Sequence, residues 1–113
     1  MIVELWTYRL DVAVPPDLEG FEVDARDGKV GKIDEATNQI GGSFVVVDTG
    51  PWIFGRKVII PASRIDRIDL EDRRALVDLT KDEIKNSPAY DPETFDQPAY
   101  RDRVGEYYTG MKR

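Results

Sequence analysis

The 113-residue chain contains no cysteine and no histidine. The missing cysteines exclude disulfides, thiolate nucleophiles, iron–sulfur ligation and thiolate zinc sites. Their absence accords with a reducing cytoplasm, the expected compartment. The missing histidines exclude more. Histidine is the usual general base near neutral pH and the commonest nitrogen ligand for metals. Ser–His–Asp and Cys–His catalysis therefore cannot be assembled within this chain, and only carboxylate and lysine chemistry stay open. Long hydrophobic runs are lacking too. The purely apolar stretches are short, such as Phe44 to Val47, whereas a membrane-spanning helix needs roughly 20 apolar residues. Glu4, Arg9 and Asp11 interrupt any signal-peptide core near the start. Positive charge is in deficit: 16 Lys and Arg stand against 22 Asp and Glu, a net charge of −6. Such a chain is repelled on average by phosphate backbones and anionic lipid, so nucleic acid is a disfavoured partner.

What is present suits one modest globular core. Apolar residues make up 41% of the chain and charged residues 34%, and the length fits a single domain. Residues 1–19 read as a leader, in which Pro15-Pro16 stops any regular element. From Gly20 the pattern becomes that of strands. Phe21, Val23 and Ala25 alternate with Glu22 and Asp24, the period of a half-buried strand. Asp27-Gly28 is a hairpin signal, because glycine accepts the positive φ that tight turns demand. Further strands are expected from about Gly31 to Thr37, Phe44 to Thr49, Lys57 to Ile60, Ile65 to Leu70 and Arg74 to Leu79. Gly41-Gly42 and Gly50-Pro51 punctuate them, and Glu71-Asp72-Arg73 joins the last two. Short strands at this spacing indicate a small barrel or sandwich.

The periodicity then changes. Thr80-Lys81-Asp82-Glu83 is a capping box, predicting a short helix to about Asn86 that Ser87-Pro88 ends. Tyr100, Val104, Tyr107, Tyr108 and Met111 recur at helical spacing, the apolar stripe of an amphipathic helix in a tail spanning 93–113.

The stretch from Gly20 to Pro92 resembles the PRC-barrel family. The pieces that carry the resemblance are Gly20-Phe21-Glu22-Val23, Asp27-Gly28-Lys29-Val30-Gly31-Lys32-Ile33, Val58-Ile59-Ile60-Pro61, and Leu79-Thr80-Lys81-Asp82-Glu83-Ile84-Lys85 running into Ser87-Pro88-Ala89-Tyr90-Asp91. Their order and spacing together cover about two thirds of the chain, residues 20–92. The resemblance implies a mainly β fold: a small six-stranded antiparallel barrel, followed here by the short helix and the C-terminal amphipathic helix. It implies no shared catalytic site. The fold occurs in the cytoplasmic part of the photosynthetic reaction centre H subunit, in the C-terminal domain of a ribosome-maturation factor, and in small stand-alone bacterial and archaeal proteins. This chain resembles the stand-alone members, whose theme is docking onto larger assemblies.

Each candidate site also has a purely structural role open to it. The acids Asp66, Asp69, Glu71, Asp72, Asp78, Asp82 and Glu83 could pair for glycoside chemistry, but they fall at strand edges and a helix start, where solvated charge is usual. Glycine loops match no nucleotide motif, and Asp24 to Gly28 fails the calcium-loop spacing. Arg56, Lys57, Arg64, Arg67, Arg73 and Arg74 form the densest basic set. They could face RNA, or be neutralised by Asp66, Asp69, Glu71 and Asp72 nearby. Trp52, Ile53 and Phe54 form an apolar connection where polar residues are usual. They either plug one barrel end or dock a partner. Tyr100, Val104, Tyr107 and Tyr108 either pack on their own barrel or on another chain. The expected function is a non-enzymatic, cofactor-free protein-binding or assembly module. Its partner is a second copy, as a homodimer or larger, or a larger complex. Contact with RNA or the ribosome is the alternative.

Overall fold

The computed structural model describes residue 8 and residues 17–36, 43–50, 57–91, 93 and 98–109. Six strands form one sheet: β1 (Glu22–Ala25), β2 (Gly28–Ala36), β3 (Phe44–Asp48), β4 (Lys57–Pro61), β5 (Ile65–Asp69) and β6 (Arg74–Val77). Two helices follow, α1 (Lys81–Lys85) and α2 (Pro98–Thr109). The spatial order is β4-β3-β2-β1-β6-β5. Neighbours run antiparallel except β1 and β6, which lie parallel with Val23 opposite Ala75. The fold thus departs from the expected antiparallel closed barrel. It is a mixed, open sheet whose two ends, β4 and β5, are linked by a tight 3-10 turn at Ala62–Arg64 and do not pair. The reason is topological. Consecutive hairpins place β1 to β4 side by side, but β5–β6 is a separate hairpin, and it attaches through β6 alongside the first strand in the same direction.

Local chemistry explains the turns. The β1–β2 hairpin turns at Asp27-Gly28, and Gly28 has φ +146°. At Gly31 the backbones of β2 and β3 approach so closely that a Cβ would lie 2.1 Å from the Asp48 carbonyl oxygen. Glycine is therefore required there by space. Arg73, at the tip between β5 and β6, holds φ +53°, an uncommon conformation for a side chain-bearing residue. Its guanidinium lies 4.8 Å from the centre of the Phe21 ring and donates to the Glu19 carbonyl, which ties the turn to the start of β1.

β3 and β4 carry the centre of the core. β3 is buried on both faces, with Phe44 to Val47 at 4% exposure or less, as its unbroken apolar run predicts. Val23, Ile33, Val58, Ile60, Ile65 and Val77 meet it from the other strands. Leu18 joins this core, and Tyr8 packs half-buried against it, so these two positions of the expected leader are attached to the sheet. Helix α1 begins with the predicted capping box: the Glu83 amide donates to Thr80 Oγ1 and the Thr80 amide to Glu83 Oε1. A third cap comes from afar, as the Lys81 amide donates to Asp27 Oδ1 at 2.8 Å. The hairpin turn and the helix start are thereby locked together.

Candidate interaction surface

The alternation that buries Phe21, Val23 and Ala25 turns Glu22 and Asp24 outward, and the sheet register gives them partners. β2 brings Lys29 to Glu22 at 2.9 Å. β6 brings Arg74 to both acids, 3.0 Å from Glu22 and 2.9 Å from Asp24. Arg26 pairs with Asp78 beside this ladder, and Lys57 pairs with Asp34 at 2.6 Å across β4 and β2. The hydrogen bond from Lys29, helped by the charges of Lys29, Arg74 and Lys32, holds the Glu22 carboxyl below its ordinary range. The hydrogen bond that Lys57 donates to Asp34 pushes the Lys57 ammonium up. Within these pairs each cation meets an acid.

Beside the ladder lies an open groove of about 420 Å³, lined by Lys29, Val30, Gly31, Lys32, Asp48, Thr49 and Gly50. Its one lining carboxylate, Asp48, already accepts the Gly50 amide at 2.9 Å. Among the described residues, no three of the acids gather as metal ligands. No described helix is long and apolar enough to cross a membrane.

The structure separates the basic set. Lys57 and Arg74 join the ion pairs above with Asp34, Glu22 and Asp24, and of the expected acids Asp72 acts on Arg74 through its charge. Asp69 instead caps the backbone amides of Glu71 and Asp72. Arg64 donates to the Tyr108 carbonyl, where a cation suits the end of a helix. Arg73 stacks on Phe21, and Arg67 is exposed on β5. Arg56 lies outside the described residues, as do Trp52, Ile53, Phe54 and Met111.

Of the two roles weighed for the C-terminal stripe, the structure places it on its own sheet. Tyr100, Val104 and Tyr108 are 3%, 0% and 0% exposed, and Tyr107 is half-buried. Their hydroxyls reach backbone carbonyls: Tyr100 donates to Ala89, Tyr107 to Glu83 and Tyr108 to Ile59. Burial pushes the Tyr108 phenol well above its usual range. The ion-pair ladder was not anticipated. Outward acids on β1 are visible in the alternation, but the cations that meet them are known only once β2 and β6 are seen as the two neighbours of β1.

No family model matches the chain, and no curated protein matches it. Among solved structures it is similar to RimM from Pseudomonas aeruginosa, whose name ties it to 16S ribosomal RNA processing. The identity is 24% and the TM-score 0.48, over 57% of this chain and 42% of RimM. The matched part thus spans less than half the length of that protein.

Proposed function

We propose that the chain is a non-enzymatic protein-binding or assembly module of the PRC-barrel type, acting in the cytoplasm by docking to a larger complex or by self-association. The observation that carries this reading is the pairing of Lys29, Arg74, Arg26 and Lys57 with Glu22, Asp24, Asp78 and Asp34. A phosphate-binding face needs uncompensated cations that displace counterions. Alternating, partnered charges suit the polar rim of a protein interface, where they set specificity more than affinity. The groove beside the ladder supports the same reading: its single carboxylate is engaged by a backbone amide, and paired acids for hydrolysis are not brought together there.

A ribosome-associated role in RNA maturation is the second reading. The motif resemblance over 20–92 supports it, together with Arg67, exposed on β5. One experiment decides between the two. The tagged full chain is isolated from its native cell with and without ribonuclease, across a salt series. The expected result is a defined protein partner that survives ribonuclease and is lost when Arg74 is changed to Glu. A complex that dissolves with ribonuclease and weakens steeply with salt would establish the RNA reading instead.

A further inference from the structure

The two ends of the open sheet are protected in different ways. β5 carries Asp66 and Arg67 on exposed positions and is bulged between Ile65 and Arg67. Charge and bulging are the ordinary defences of a free edge. β4 has no bulge, and its defences are confined to Lys57 and Pro61 at its two ends. Its sequence is Lys57-Val58-Ile59-Ile60-Pro61, it pairs with β3 residue for residue without a bulge, and Val58, Ile59 and Ile60 are at most 1% exposed. The apolar, regular strand is the dangerous one.

The backbone of β4 shows how that edge is covered. The Ala62 amide donates to the Ser43 carbonyl, which continues the β3–β4 ladder and sets the parity. Even-numbered residues of β4 turn their amides and carbonyls toward β3, and odd-numbered residues turn theirs outward. The outward carbonyls are met by the C-terminal segment. The Tyr90 amide donates to Lys57 at 2.9 Å, Ala89 forms a single antiparallel bridge with Val58, and the Tyr108 hydroxyl donates to Ile59 at 3.0 Å. Helix α2 is held in place by Tyr100 on the Ala89 carbonyl, Tyr107 on the Glu83 carbonyl, and Arg101, 5.4 Å from the centre of the Phe44 ring.

We infer that residues 89–90 together with α2 form a strap that conceals a self-pairing edge, and that releasing the strap lets β4 of one copy pair with β4 of a second copy. Antiparallel pairing about Ile59 meets the outward groups of β4 except the Lys57 carbonyl, which lies opposite Pro61 and its missing N–H and turns to water. The two Ile59 residues exchange N–H···O=C bonds, and each Lys57 amide reaches the second copy's Pro61 carbonyl. The inference does not depend on what the charged outer face binds.

The test releases the strap by a change in α2 and blocks the edge by a separate change in β4. V104K places a charge at a position of α2 with no exposure. K57P removes an outward amide of β4, which β3 does not use, and blocks edge pairing. Mass is measured by light scattering at rising concentration, and β content by circular dichroism, for the full chain, V104K, K57P and V104K/K57P. V104K is expected to associate beyond the parent, and V104K/K57P to return to the parent mass. The idea is overturned if V104K keeps the parent mass while its α2 amides exchange rapidly with solvent. It is equally overturned if V104K/K57P associates as strongly as V104K, because exposed side chains rather than the edge would then drive association. If V104K loses its β signal, the same readings on Tyr108→Phe, with and without K57P, decide by the same criteria.

Discussion

Single atoms decide several positions in this fold. A methyl group at Gly31 would collide with the Asp48 carbonyl, which is backbone and cannot swing aside. Gly31→Ala should therefore cost at least ~2 kcal/mol, within the range of core overpacking, read as a lower urea midpoint. Tyr108→Phe leaves the Ile59 carbonyl without its hydroxyl partner in a dry site and should cost about 1–3 kcal/mol. Tyr107→Phe, at a half-buried ring, should cost less in the same urea titration. Glu22 offers a pH reading. Its carboxyl is held low by Lys29 in the folded state, so its contribution is present above the unfolded value of about 4.3 and fades as the pH falls through the lowered folded value. In an NMR titration Glu22 should ionise below the free-glutamate range, and Lys29→Ala should raise that midpoint. Gly31 could be read from the sequence only as the start of a strand and as part of the stretch that carries the family resemblance; the physical need for it appears only when β3 is laid beside β2.

At the level of elements, alternation and turn chemistry located all six strands within a few residues, because each faces a core on one side or, for β3 and β4, on both. The capping box of α1 was equally legible, since it is local chemistry between Thr80 and Glu83. Thr80→Ala should lower stability by about 1 kcal/mol. The loss should be smaller than isolated-helix behaviour implies, because Asp27 still holds the Lys81 amide. A thermal melt of the two single variants and the double variant with Asp27→Ala would reveal the shared role as non-additivity. That Asp27 contact was not legible: the hairpin turn and the helix are far apart along the chain. The stripe of α2 was legible as a stripe. Its partner was not, because periodicity marks an apolar face without naming what covers it.

Across the molecule, the largest departure from expectation is the order of the strands. Hydrophobic patterning is blind to neighbour choice, so neither the parallel β1–β6 pair nor the open β4 and β5 ends could be read from it. The ion pairs of the outer face inherit the same blindness, since Arg74 meets Glu22 and Asp24 only through that pair. A chain ending at Arg73 lacks β6 and should show no cooperative thermal transition by circular dichroism, because β5 then loses its only described strand neighbour and β1 loses one of two.

The parallel pair also imposes a timetable. As the polypeptide is synthesised, the strands from β1 to β4 can zip into a meander by short hairpin closures, but β1 keeps one flank unoccupied until residue 77 has been made. Val23 and Ala75 meet late and from a distance, and closing so long a loop is the slow part of building such a sheet. For that interval the newborn molecule exposes the first strand it made, and its last strand is the one that covers it.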